Sequence, residues 1–378
     1  MSEYQYYEFQ AIDRPLSGAD QDALRALSTR ARITATSFTN SYEWGAFKGD
    51  PARLMENWFD LHLYLANWGS RRLMLRWPAR LVDRHLLDAF LGEVDYATIR
   101  CAGQNLILDI NIDEVESEDW DDGSGWLAAL APLRADVLGG DLRLFYLLWL
   151  SGVEADVFAP DEPEPMPGIG PMTGALEAFA DFFHIDRDLV AAAAERSADP
   201  LAERPASSET GRSIIAAMTD RKKTDLLARL VDGDAHVASE LRSFVRQRLM
   251  SEIDAPPVAA RTVGQLRASA ELIRHARERT QAEKATAEQR RRDEEAERAR
   301  RARLEATRRR GESVWREIES EIERRNANGY DKAATLLLDL RAISEEKGER
   351  EDFVRRLKEI RNRHARKERF IERLAKLG

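Results

Sequence analysis

The chain has 378 residues, 43% hydrophobic and 33% charged, with a formal net charge of -9 and one cysteine. That length fits two or three domains, and the charged fraction exceeds the roughly 25% of ordinary globular chains, so part of the chain must be heavily solvated. The lone Cys101 excludes an internal disulfide and multi-cysteine zinc sites, no apolar run reaches the ~20 residues of a membrane helix, and the opening MSEYQYY has no basic-then-apolar order, so the expected location is the cytoplasm.

In chain order, Tyr4 to Ile12 is aromatic-rich and roughly alternating, a strand closed by Pro15. Ser17 with Asp20 starts a helix carrying Leu24, Leu27 and Ala31. Residues 33–44 are β-branched and aromatic, a second strand, and Asp50-Pro51 opens a helix with Leu54, Trp58, His62 and Leu65 on one face. Leu73–Trp77 is a short strand stopped by Pro78, and Asp83 caps a helix ending at Gly92. Residues 96–101 and 105–112 flank Ala-Gly-Gln as a hairpin, and 126–152 are helical with a Gly139-Gly140 break.

Residues 159–171 hold five prolines, which no helix or central strand tolerates; this is a linker or extended strap, and a domain boundary is placed there. Residues 172–257 are helical and end at Pro256-Pro257. Thr262-Val-Gly-Gln265 fits a capping box. Behind it runs a helix without Pro until Gly311, whose apolar stripe fades after Ile273 and so lacks a coiled-coil seam, leaving only a shallow Ala-lined pairing open. Glu288–Arg292, Glu294–Arg298, Glu297–Arg301 and Glu305–Arg309 are four apart with the acid first, each worth about 0.2–0.5 kcal/mol, which describes a solvated single helix. Three helices follow: one with Val314, Trp315, Ile318 and Ile322, stopped at Asn328-Gly329; one with Ala333, Leu336, Leu337, Leu340 and Ile343, stopped at Gly348; and one from Phe353 toward Leu374. The expected map is an α+β domain (1–158), the proline-rich linker (159–171), a helical domain (172–257), a long charged helix (262–311) and a three-helix module (312–378). The class is α+β, then mainly α.

The segments YQYYEFQAIDRPLS, RLMLRWP, DLRLFYLLWL and PEPMPGIGP, with the closing AATLLLDLRAISEEKG and FVRRLKEIRNRHARKERFIERL, give the chain a resemblance to an uncharacterised bacterial protein family. The closing module also resembles the C-terminal tails of some SWIM zinc-finger proteins; the finger itself is excluded by the single cysteine. The resemblance implies a shared tail module and carries no activity or site residues.

No Walker loop, G-x-S-x-G elbow or H-E-x-x-H motif occurs, and Gly168, Gly170 and Gly174 have the wrong spacing for a dinucleotide loop. The six histidines show no helical pairing, and His62 reads as a core histidine. Asp109, Asn111 and Asp113 share one strand face of oxygen-bearing side chains; Asp109 and Asp113 are the least implausible metal ligands, although the outer face of a half-exposed strand explains the face better. Arg71, Arg72, Arg76 and Arg80 near Trp68 and Trp77 have the chemistry of phosphate and base contacts, but the acidic surroundings argue for an ordinary exposed strand face.

Charge is divided along the chain. Residues 261–378 carry 33 Lys+Arg against 24 Asp+Glu, and residues 1–260 carry 25 against 43. The best binding candidate is the basic tail, with Arg356, Arg363 and Lys367 on one outward line and Arg366 and Arg369 beside them. The expectation is a non-enzymatic adaptor that presents this basic tip on a charged helical rod to a protein partner, with no cofactor, no membrane and oligomers allowed. The alternatives are a nucleic-acid-binding accessory factor acting through the tip, and a metal-dependent enzyme with its site in the N-terminal domain.

Overall fold

The computed structural model describes residues 3–45, 47–92, 94–113, 115, 120–197, 208–252 and 259–375. The chain forms two compact units, Met1–Ala276 and Arg277–Gly378.

Unit 1 is built on β1 (Gln5–Gln10), β2 (Arg32–Ile33), β3 (Ser37–Tyr42), β4 (Leu61–Ala66), β5 (Arg71–Pro78), β6 (Ala97–Ala102) and β7 (Asn105–Ile112). They make one antiparallel sheet in the order β2-β3-β1-β4-β5-β7-β6. Strand alternation sends Tyr7, Phe9, Phe38, Met74 and Ile107 to one face, where α1 (Gly18–Leu27) and α2 (Pro51–Asn57) cover them with Leu24, Leu54 and Met55. The opposite face carries Leu63, Leu73, Leu75, Trp77 and Leu108. It is covered by α3 (Arg84–Leu91), α4 (Trp126–Leu130), α5 (Pro132–Leu138), α6 (Arg143–Glu154), α7 (Gly174–Phe182) and α8 (Arg187–Ala194). The central strands are therefore buried on both sides.

That double burial explains the main difference from the sequence reading. The expected helical face through Leu54, Trp58, His62 and Leu65 stops at Asn57, and β4 follows. Leu61-His-Leu-Tyr-Leu-Ala66 is almost continuously apolar, so helical and strand periods fit it equally; pairing with β1 and β5 decides for strand. The expected strand over 33–44 is also split, because Thr34 turns back to donate its N–H to the Ser37 carbonyl.

The proline-rich segment does not separate two domains. Ile169 is fully buried in the core that continues from the sheet through α8, and Ile169 N–H donates to Ala193 O while Gly170 N–H donates to Arg196 O. A Cβ on Gly170 would lie 2.4 Å from Ala194 O, which is why glycine stands at that close approach. The segment is an extended strap within unit 1. The rest of the helical stretch is α9 (Ser208–Ala216), α10 (Asp220–Val231) and α11 (Val237–Glu252). The expected stop at Pro256-Pro257 lies outside the described residues.

Helix α12 (Val263–Arg310) begins with the expected capping box: Thr262 Oγ1 accepts from Gln265 N–H, and Gln265 Oε1 accepts from Thr262 N–H. Val263, Leu266 and Ala270 sit in the unit 1 core. Residues 278–303 are exposed except for half-buried Glu297, and all four expected acid-first pairs form, from 2.6 Å for Glu288–Arg292 to 3.6 Å for Glu294–Arg298.

Unit 2 closes with α13 (Glu312–Glu323), α14 (Ala327–Lys347), α15 (Arg350–Arg363) and α16 (Glu368–Ala375), so the expected third helix is two. His364 to Lys367 break it and let Phe370 and Leu374 fold back onto the core of Val314, Ile318, Ile322, Leu337 and Phe353. Asn328-Gly329 lies inside the first turn of α14, which Asn326 caps, and does not end the preceding helix. A Cβ on Gly329 would meet Glu321 O at 2.5 Å, so glycine here lets α14 start tightly against α13.

Candidate functional site

The basic row of the tail is the first place where the structure corrects the sequence reading. Of the expected outward line, Arg363 stays exposed, with its side chain 62% accessible, while Arg356 and Lys367 are half-buried. Each meets a glutamate of α13: Arg356 Nη1 to Glu312 at 2.7 Å, Arg363 Nη1 to Glu319 at 2.5 Å, and Lys367 Nζ to Glu323 at 2.8 Å. Each pair is separated by 44 residues. The glutamates repeat the seven- and four-residue steps of the cations on a helix running in the same direction. Buried His364 places Nε2 2.6 Å from Glu319, and the Arg356 guanidinium lies 5.3 Å from the Trp315 ring centre. The Arg356 guanidinium is held above its ordinary value first by its hydrogen bond to Glu312. Arg366 and Arg369 remain exposed, and they, Lys358 and Arg361 form no ion pair among the described residues. The matching spacing of Glu312, Glu319 and Glu323 is visible in the sequence.

The candidate metal face of β7 is also engaged. Asp109 takes a two-point ion pair from Arg72, with Nε at 2.7 Å and Nη2 at 2.6 Å, and Asp113 accepts from Ser70 Oγ at 2.6 Å. Among the described residues no group of three His, Cys, Asp or Glu side chains is placed to hold a metal.

Arg71 and Arg76 of β5 serve the interior, while Arg80, two residues past the strand, forms a partly exposed pair. Arg76 binds buried Asp60 at 2.8 Å, Arg80 binds Asp234 and Glu240, and the buried Arg71 guanidinium lies over the Phe182 ring, 3.5 Å from Asp121. Trp77 is fully buried and donates its indole N–H to Arg134 O.

Two buried charge networks escaped the sequence reading because their members are far apart in the chain. Asp60 Oδ2 accepts the backbone N–H groups of Ile12 and Asp13, while Arg134 donates to Asp13 at 2.6 Å and His236 lies 3.0 Å from the same carboxylate. Burial works against the Asp13 charge, yet the His236 hydrogen bond and Arg134 together hold its carboxyl below the usual range. In the second network Glu164 accepts from Tyr146 Oη at 2.6 Å and from the Arg261 backbone and guanidinium, and Arg261 also donates to Ala192 O. It fastens the strap to the start of α12. Burial, and then Glu164, push the Tyr146 phenol up.

His62 is fully buried beside Phe9, ring centres 3.9 Å apart, with Nδ1 3.1 Å from Glu8 O. Burial pushes the imidazole down to about 3, the Arg72 charge adds to this, and the hydrogen bond to Glu8 opposes it.

Unit 1 also has a cavity of about 830 Å³ between the β5–α3 loop, the α5–α6 turn, the strap and α11. Leu86, Phe90, Val137, Leu142 and Met166 give it an apolar wall, while Arg80 and Arg143 at its margin are already paired with Asp234 and Asp141. It can shelter an apolar group, but it gathers no pair of groups poised as acid and base.

No helix among the described residues is long and apolar enough to cross a membrane. No protein-family model, curated protein or solved structure matches the chain, so the functional reading rests on its own geometry.

Proposed function

We propose that the chain is a non-enzymatic binding protein, an adaptor that carries its C-terminal helical module on a charged helix for assembly with a protein partner. The observation that carries this reading is residues 278–303. They are helical, almost wholly exposed, and stabilised by their own acid–base pairs, at a length of about 39 Å. Such a segment performs no chemistry and acts as a semi-rigid spacer. The pairing of Arg356, Arg363 and Lys367 with α13 favours a protein partner over nucleic acid, because most of the cationic row is already neutralised. The cations left for an acidic protein surface are Lys358 and Arg361 on α15, Arg366 in the break after it, and Arg369 on α16.

The test is capture from native lysate with and without nuclease, using the full chain and the variant Arg361→Glu, Arg366→Glu, Arg369→Glu. Protein partners that survive nuclease and disappear with the variant support the adaptor. Loss of every partner on nuclease treatment reverses the ranking in favour of the nucleic-acid factor.

A further inference from the structure

One end of the unit 1 sheet gathers exposed tryptophans. The register places Tyr42 of β3, Gln5 of β1, Ala66 of β4, Arg71 of β5 and Ile112 of β7 at the same edge, so the loops leaving these strands are neighbours. Five strand ends at 4.7–4.9 Å spacing cover about 19 Å. Trp44, Trp68 and Trp120 stand on these loops, exposed by 74%, 47% and 67%. They are not loose ends. Gln5 Nε2 holds the Gly45 carbonyl next to Trp44, Trp68 donates its indole N–H to Ser70 Oγ, and Trp120 packs 5.1 Å from Tyr4, itself tied to Asn67 and Asp122. Large aromatics fixed at a surface at this density mark an interaction site.

Acidic side chains predominate around them, with exposed Lys48 further along the loop that carries Trp44 and the buried Arg71 guanidinium 3.5 Å from Asp121. Glu3, Glu43, Asp113 and Asp122 are exposed, and none has a cationic partner among the described residues. No Lys or Arg occurs at 3–4, 43–45, 67–70, 113, 115 or 120–125. Burial, and then the charge of Asp122, push the Tyr4 phenol up, with smaller additions from Asp121 and Glu43 and opposed by a hydrogen bond to Ser41. Flat π faces ringed by unpaired carboxylates recognise cations: arginine and lysine stack on indole faces while their charge meets the carboxylates.

We propose that this end of the sheet is a docking surface for a basic, arginine- or lysine-rich polypeptide segment. This surface lies in the other unit from the C-terminal module and stands whether or not the adaptor reading of that module holds.

The test uses the full chain and octa-arginine, with octaglutamate and a neutral hexasaccharide as controls, followed by calorimetry. The expected result is saturable one-site binding of octa-arginine alone, weakening as salt rises. Trp44→Ala with Trp120→Ala should reduce affinity about tenfold while circular dichroism stays unchanged. Glu43→Gln with Asp113→Asn should flatten the salt dependence, and Arg361→Glu, Arg366→Glu, Arg369→Glu should leave affinity unchanged. The proposal is overturned by any of three results: no saturable octa-arginine binding, binding indifferent to the two tryptophans, or preference for the hexasaccharide. Self-association in ultracentrifugation that Trp44→Ala abolishes would also overturn it, by making a second copy the occupant.

Discussion

In unit 1 an arginine meets its carboxylate inside the protein: Arg261 and Glu164 have side chains 7% and 0% exposed. On α12 the same two chemical groups meet in water, with Arg292 and Glu288 at 68% and 53%. The first kind of pair fixes where distant segments must lie, because an unpaired charge left in the interior is costly; the second supports a local helix and constrains nothing beyond one turn. Between these limits stands the row of pairs that α13 glutamates make with Arg356, Arg363 and Lys367, partly exposed. Burial, more than the number of ion pairs, decides what charge does in each region.

The largest expected effect comes from breaking a buried pair. Arg261→Met leaves Glu164 in the core with only the Tyr146 hydroxyl and the backbone N–H of residue 261, and should cost about 3–5 kcal/mol in urea unfolding of unit 1. The double variant Arg261→Met, Glu164→Gln should recover a good part of that loss. An Arg261 variant as stable as the parent would remove the distinction drawn between the two regions.

The second effect is confined to acid. The folded His62 stays neutral down to about 3, whereas in the unfolded chain it titrates near 6.5. Between those values the unfolded state binds the additional proton, so stability falls as pH falls, by at most about 1.4 kcal/mol per pH unit. His62→Phe, which keeps an aromatic ring against Phe9, should flatten the unfolding free energy between pH 6 and pH 4. An unchanged slope would mean that other groups carry the acid sensitivity.

The smallest effect belongs to the exposed pairs. A peptide of residues 278–303 should lose helicity as salt is added, without dependence on its concentration, because its stabilising contacts are screened ion pairs. Salt-insensitive helicity that rises with concentration would instead show an Ala-lined association between helices.

These differences also explain what was legible beforehand. The capping boxes at Ser17 and Thr262, the β6–β7 hairpin and the four acid-first pairs of α12 depend on residues a few positions apart, and the sequence displays them directly. β4 was misread because a strand buried on both faces loses the alternation that identifies it. Asp60 with Arg134, and Glu164 with Arg261, were invisible because their members lie 74 and 97 residues apart. The basic row of α15 was recognised as a row, but its orientation depends on helix α13, 44 residues earlier, which carries glutamates at the same intervals. The tryptophan edge is distributed over loops from five strands, and only their register brings it together.

The central claim is that the α13 glutamates engage the basic row of Arg356, Arg363 and Lys367. Fluorescence anisotropy with a labelled DNA duplex at physiological salt tests it, comparing the full chain with Glu312→Gln, Glu319→Gln, Glu323→Gln. The account predicts no saturable binding by the parent and a clear gain by the triple variant, with a salt dependence of about three phosphate contacts. Tight duplex binding by the parent, unaffected by the three glutamate changes, would contradict it.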